Sequence, residues 1–315
     1  MITRIYTHPA CLTHDMGMGH PESPARLTSV LAALRTSQFA GLDWAEAPKA
    51  EFAQIMRAHP PAYIEGMLAA VPERGLVAVD ADTILSPGSG EAALRAAGAV
   101  IAAVDDVATG KVANAFCAVR PPGHHAEAAT AMGFCLFNNV AIGAYHAREV
   151  HGLSRVAVMD FDVHHGNGTQ AIFEQDANLF YASTHQMPLY PGTGSVRETG
   201  VGNICNAPLP PNAGSAEFRA AMTDRILPAI DAFRPDLLII SAGFDAHRAD
   251  PLANLQFVEA DYAWATDELA AIARRHCSGR LVSALEGGYD LRALAASAAS
   301  HVQRLMAAAD GRSLS

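Results

Sequence analysis

Charge is scarce in this sequence: only 17% of its 315 residues are Asp, Glu, Lys or Arg. Disordered chains combine high charge with little apolar content. Here half of the residues are hydrophobic, so a globular chain with a sizeable core is expected. Positive charge is the scarcer sign, 22 Lys and Arg against 32 Asp and Glu, a formal net charge of −10. That balance argues against a nucleic-acid groove as the main surface. Cysteine is sparse as well. Cys11, Cys117, Cys135, Cys205 and Cys277 are odd in number, widely spaced and form no C-x-x-C pair, which argues against a disulfide framework or a cysteine-rich zinc site. The opening residues show no basic stretch followed by an apolar core and cleavage site. The longest apolar run, AALRAAGAVIAAVDDV at 92–107, is broken by Arg95 and two aspartates, as in a buried helix and unlike a membrane span. The expectation is a protein of the reducing cytoplasm that engages neither membrane nor nucleic acid.

What is abundant is histidine, with fourteen in the chain. Histidine is the commonest metal ligand and the usual acid or base near neutral pH, so its positions matter. Apolar strand-like runs at 4–8, 115–119, 155–161, 179–184, 236–244 and 280–285 alternate with Ala-rich segments of helical spacing at 25–39, 89–107, 137–150, 214–232, 257–275 and 291–308. Such alternation predicts an α/β fold with a parallel sheet covered on both faces. No linker, charge block or repeat divides the chain, so one domain over 1–315 is expected. Ligands of open α/β folds bind in the loops after the strands, and those loops are chemically loaded. RPPGHHA follows the second run, DFDVHHGNG ends the third, GFDAHRADP ends the fifth and EGGYD follows the sixth.

In an extended segment residues i, i+2 and i+4 share a side, which would group Asp160, Asp162 and His164. Asp245 closes an equally apolar strand. Two carboxylates and an imidazole leave a fourth position open, the arrangement of a catalytic zinc site. For one aspartate at a strand end, a solvated carboxylate is the ordinary reading. A buried set of this kind needs a cation among its members. His124 and His125 lie in a loop stiffened by Pro121, Pro122 and Gly123 and are read as acid/base catalysts, with Asp160 and Asn167 available to orient them. Tyr289, after Glu286-Gly287-Gly288, can place a phenol beside the metal. His165 and His185 are read as supports of the same strand ends, and the other nine histidines as ordinary loop or surface residues.

With these residues assembled, the sequence resembles the histone deacetylase family of zinc amidohydrolases, especially its class II and bacterial members. The likeness runs through GHPESPARL (19–27), SPGSGEAALRAAGA (86–99), RPPGHHA, GFCLFNN (133–139), DFDVHHGNGTQ, PGTG (191–194), SAGFDAHRADPL and EGGY. It implies an arginase-like α/β fold with an eight-stranded, mostly parallel sheet between helices. It implies Asp162, His164 and Asp245 as zinc ligands, His125 as general base, His124 as its electrostatic or acidic neighbour, Asp160 as the partner of His124, and Tyr289 as the hydroxyl that polarises the substrate carbonyl. Gly133 and Phe134 match the floor and one wall of an acyl-lysine tunnel, Tyr190 a second aromatic wall, and Arg26 an arginine near an internal channel behind the metal. Structural potassium is implied at the carbonyls of Asp160, Asp162, His164, Ser183 and Thr184, with a remote second site at Phe173, Asp176, Leu179 and Asn203.

The expected substrate is therefore an acylated lysine or a related acylated amine, and a homo-oligomer is compatible with the sequence. Two departures bear on specificity and pH. Asn167 stands where some branches carry an aspartate behind the general base. Leu252 stands where acetylpolyamine-specific relatives often carry a glutamate. An acetylpolyamine or other small-molecule amide hydrolase is the alternative on the same site. A two-manganese ureohydrolase would need ligands where Val163 and Ala246 stand, and a non-catalytic acyl binder would be expected to have lost a ligand, a histidine or the tyrosine. Loops around 12–24, 80–90 and 186–200 are expected to frame the entrance.

Overall fold

The computed structural model describes residues 1–311. Its strands are β1 (Thr3–Thr7), β2 (Asp43–Glu46), β3 (Val77–Ala78), β4 (Ile84–Leu85), β5 (Asn114–Cys117), β6 (Val156–Asp160), β7 (Leu179–Gln186), β8 (Ile204–Leu209), β9 (Leu237–Ala242) and β10 (Leu281–Leu285). Its helices are α1 (Pro24–Leu34), α2 (Phe52–Ile55), α3 (Pro61–Ala69), α4 (Ser89–Ala108), α5 (Asn139–His151), α6 (Asn167–Phe173), α7 (Ser215–Ala221), α8 (Leu227–Phe233), α9 (Glu259–His276) and α10 (Leu291–Ala309). β3 and β4 pair as a small antiparallel hairpin. The other eight strands form one sheet, ordered β2-β1-β5-β10-β9-β6-β7-β8, with every neighbouring pair parallel. The eight-stranded α/β architecture is as expected, and the sheet is parallel throughout.

Every residue of β5, β6, β9 and β10 is buried. This follows from largely apolar runs, which fit a sheet covered on both faces. Helices α1, α9 and α10 pack together, as do α4 and α5. The apolar run at 92–107 lies within α4, and no described helix is long and apolar enough to cross a membrane.

The strand order explains how the chemistry converges. β9 and β10 come last in the sequence yet insert between β5 and β6, so β5, β10, β9 and β6 are contiguous at the sheet centre. The loops leaving these four strands are the four polar stretches picked out above. Register keeps their ends level: Asp160 pairs with Ser241 and Cys117 with Ala284.

Two sheet strands escape the apolar-run criterion. β2 (DWAE) is a short edge strand with no buried residue. β8 carries Pro208, which an edge strand tolerates because it needs no ladder on its outer side. The helix expected over 214–232 is present but contains a π turn at Met222–Ile226. Pro228 follows it; a proline lacks the N–H for the regular ladder and crowds the carbonyl four residues back, so the helix widens there.

Candidate active site

Strand β6 stops at Asp160, and there the chain coils. Asp160 Oδ1 accepts the Asp162 N–H at 3.1 Å, and Asp162 Oδ1 accepts the His164 N–H at 2.9 Å. Two successive aspartate turns of this kind replace the extended alternation. Asp160, Asp162 and His164 therefore do not share one side: Asp160 turns to His124, while Asp162 and His164 meet Asp245. His164 Nδ1 lies 3.1 Å from Asp162 Oδ1 and 3.2 Å from Asp245 Oδ2. The ligand-type atoms of the three side chains fall within 4.8 Å of one another, and all three residues are buried.

The donor set fits a divalent cation with nitrogen and oxygen ligands. A backbone donor holds one oxygen of each carboxylate: Val163 N donates to Asp245 Oδ1 and Gly287 N to Asp162 Oδ2, each at 2.8 Å. Asp245 Oδ2, facing the cluster, is buried and has no hydrogen-bond partner among the described residues. Native structures seldom leave a carboxylate oxygen in that condition. A Cβ on residue 287 would stand 2.0 Å from this oxygen, so only glycine leaves the space. Electrostatics agree. Burial pushes the Asp245 carboxyl up to about 7, helped by the Asp162 charge. Burial opposes a charge on His164, yet its two carboxylate neighbours outweigh this and hold its pKa near about 10. Such a pocket of excess negative charge is relieved by a metal ion in place of the proton.

The paired histidines are oriented differently. His124 Nδ1 donates to Asp160 Oδ2 at 2.9 Å, and the Tyr181 hydroxyl donates to the same oxygen at 3.1 Å. Burial works against a charge on His124, but Asp160 and Asp162 prevail and raise its pKa to about 10. His125 Nδ1 donates to Asn167 Oδ1 at 2.8 Å. The Asn167 amide is fixed in that sense because its Nδ2 donates to Glu127 Oε1 at 2.9 Å. With the proton on Nδ1, the His125 Nε2 keeps its lone pair. Burial, then the cationic neighbours His124 and His164, push the His125 pKa well below the ordinary value, so this ring is neutral.

Both His125 and His164 line a cavity of about 250 Å³, together with Asp82, Gly133, Phe134, Leu189, Tyr190, Leu252 and Tyr289. Every residue expected to shape the tunnel therefore lies around it. Gly133 has φ +56°, and a Cβ there would stand 2.4 Å from the His125 ring. Phe134 also adopts a left-handed φ of 69°, a costly conformation for a side chain. The 80–90 loop holds it there: Gly133 N donates to Asp82 Oδ1 at 3.2 Å and Phe134 N to Thr83 Oγ1 at 3.1 Å. His20, from the 12–24 loop, packs edge-on against Phe134 at 4.8 Å. Tyr190 is 39% exposed and thus forms part of the rim; its ring meets His125 at 5.2 Å. Burial raises the Tyr289 pKa well above its ordinary value, so its hydroxyl keeps its proton.

Several site residues escaped the sequence reading although each lies in a quoted motif. Glu286 accepts the N–H groups of Gly123 (2.7 Å) and His124 (3.1 Å) and so fixes the histidine loop. Asp250 accepts the Tyr289 N–H at 2.7 Å. Glu22 is fully buried between Arg26 and Arg120. Arg26 is not among the residues lining the cavity. It donates to the Gly288 and Glu286 carbonyls, and its guanidinium lies 4.9 Å from the Tyr289 ring centre, so it braces the tyrosine loop.

Asp160 and Ser183, two members of the near potassium set, pair across β6 and β7. Three of the four remote carbonyls converge, with Asn203 Nδ2 lying 2.8 Å from the Phe173 oxygen, 3.0 Å from that of Asp176 and 2.6 Å from that of Leu179. Among the described residues a second group, Asp105, His146 and His151, can also be drawn around a metal. There Arg57 donates to His146 Nδ1 at 3.1 Å, which fixes the ring proton on Nε2 towards Asp105 at 2.6 Å and leaves no lone pair for a metal. The expectation that nine histidines are loop or surface residues also needs correction, because His14, His59, His146, His247 and His301 are buried. Hydrogen-bond partners make this affordable for a neutral ring: His301, for instance, bonds Thr266 and Ser283.

Residues 20–305 match the family described as "Histone deacetylase domain". Histone deacetylase 14, chloroplastic, of Arabidopsis thaliana is 40% identical over 327 aligned residues, covering 96% of this chain and 76% of that protein. The histone deacetylase-like amidohydrolase of Pseudomonas aeruginosa is 40% identical over 277 residues, covering 86% of this chain and 73% of that protein. Among solved structures, the HD domain of HDA15 superposes with a TM-score of 0.93 at 35% identity, covering 99% of this chain and 90% of that one.

Proposed function

Because the chain belongs to the histone deacetylase family, we infer that it is a zinc-dependent amidohydrolase that removes acetyl or similar short acyl groups from lysine side chains or related acylated amines. One observation carries this reading: a buried Asp-His-Asp cluster, a neutral histidine with a free Nε2 and a protonated tyrosine all meet at one apolar-walled cavity. Asp162, His164 and Asp245 would hold the ion. Zinc there supplies Lewis-acid polarisation of the amide carbonyl and makes a neighbouring water acidic, with a pKa of about 7.

His125 Nε2 takes the proton of the attacking water, and Asn167 holds the ring in the tautomer that allows it. As the carbonyl carbon becomes tetrahedral, the Tyr289 hydroxyl donates to its oxygen; one such donor is typically worth about 3–4 kcal/mol. His124, charged and anchored on Asp160, stabilises the negative charge. The C–N bond then breaks, and the proton held by His125 passes to the leaving amine. Phe134, Leu189, Tyr190 and Leu252 give the cavity apolar walls, suited to the methylene stem of a lysine. A non-catalytic acyl binder would have no use for this complete set.

The same reading treats 1–315 as one catalytic domain and places it in a reducing cytoplasm, which the five free, buried cysteines support. It extends to structural potassium at the near and remote sets of carbonyls. The test is a panel of acetyl-lysine peptides, other acyl-lysines and acetylpolyamines, with and without chelator. Acetylpolyamines belong in it because Asp82 offers a carboxylate at the cavity. Chelator-sensitive cleavage of an acyl-lysine is the expected result; no cleavage of any amide by metal-loaded protein would overturn the reading.

A further inference from the structure

The Tyr289 loop leaves β10 through Gly287 and Gly288, the latter at φ +121°, and two adjacent glycines give that loop freedom to swing. Its position is set by what grips it on the tyrosine side. Arg26 holds the carbonyls before the tyrosine. Beyond it, Asp250 Oδ2 accepts the N–H of Tyr289 at 2.7 Å and that of Asp290 at 3.3 Å. The other oxygen, Oδ1, accepts the N–H of Leu252 at 3.0 Å. Asp250 is 7% exposed, and charge-assisted bonds to backbone N–H groups in such a setting are strong and directional.

We propose that Asp250 is the positioning residue for Tyr289: its carboxylate pins the tyrosine loop in the orientation that presents the hydroxyl to the substrate carbonyl. The same carboxylate ties this loop to the segment bearing Leu252, so two walls of the cavity move as one. The inference rests on Tyr289 acting as the oxyanion donor. Neither Asp250 nor the N–H groups it accepts touch the reacting atoms. Its effect on kcat passes chiefly through the tyrosine, and its bond to Leu252 acts on the cavity wall and so on KM; the kcat energetics of Asp250 and Tyr289 are therefore not additive.

The test is a double-mutant cycle on the zinc-loaded enzyme with an acetyl-lysine peptide, combining Asp250→Ala with Tyr289→Phe. Asp250→Ala is expected to lower kcat on the order of 30-fold or more, because a displaced donor contributes little. In the Tyr289→Phe background the same change should lower kcat less than about threefold. Asp250→Asn, which keeps one acceptor oxygen, should recover part of kcat. It also serves if the alanine variant does not fold. Bound zinc per chain and thermal midpoint are measured on each protein. A kcat loss that is equal in both backgrounds, or wild-type kcat in both Asp250 variants, overturns the proposal. Full activity of Tyr289→Phe alone would instead overturn the donor reading on which it rests.

Discussion

Asn167 Oδ1 accepts the Nδ1–H of His125 at 2.8 Å, and the same amide donates to Glu127. The partner behind His125 is thus neutral, and the ring is held by geometry without an anion hydrogen-bonded to it. Asn167→Asp should raise the His125 pKa by on the order of one unit and move the acidic limb of the kcat/KM pH profile upward. Pairing the change with Glu127→Gln avoids two carboxylates in contact. The pH–rate profiles of the two proteins decide it; an unmoved limb would remove His125 as the group that titrates there.

Gly133 presses against His125 from the cavity side. Gly133→Ala combines a left-handed φ, worth about 1–2 kcal/mol for a side chain, with a Cβ 2.4 Å from the His125 ring. Loss of kcat on the order of tenfold or more is expected, with a lower thermal midpoint. Steady-state kinetics and a melting curve test both parts.

Leu252 gives the cavity an apolar wall where a charge would favour cationic substrates. Leu252→Glu should raise the kcat/KM ratio of acetylpolyamine to acetyl-lysine peptide by about tenfold, the scale of one ion pair near ~1.4 kcal/mol at a partly exposed site. Competition between the two substrates in one assay measures that ratio.

His301 is buried far from solvent, donating from Nδ1 to Thr266 at 2.6 Å and accepting at Nε2 from Ser283 at 2.8 Å. Burial lowers its pKa from 6.5 to about 3. The unfolded chain therefore takes up a proton that the folded chain refuses. The stability this ring contributes is complete above pH ~6.5 and is lost as pH falls from there towards about 3, with a limiting slope of about 1.4 kcal/mol per pH unit. Urea unfolding between pH 7 and 4 should show a shallower slope in His301→Gln than in the wild type.

Much of this was legible in the residues. Largely apolar runs such as VAVMD and LLIISA announce buried parallel strands, and the loaded loops that follow them announce a site. What the sequence does not display is strand order, and it is the insertion of β9 and β10 between β5 and β6 that brings Asp245 and Tyr289 to the histidines. Local hydrogen bonding is equally hidden. Alternation places Asp160 with Asp162, but aspartate turns rotate it to His124. The role of Asp250 depends on a backbone N–H 39 residues away. The approach of the Asn203 amide to the Phe173, Asp176 and Leu179 carbonyls depends on a rotamer. Long-range partners and side-chain directions are set by tertiary packing, and no periodicity encodes them.

Zinc titration of the chelator-stripped protein, followed by hydrolysis of an acetyl-lysine peptide, tests the central claim most directly. Activity should be absent without metal, rise in proportion to added zinc, and reach its plateau at about one ion per chain, the stoichiometry of a single Asp2His site. Asp245→Ala should bind no zinc tightly and stay inactive throughout. Full activity in the metal-free protein, or a plateau reached only at two ions per chain, would contradict the account.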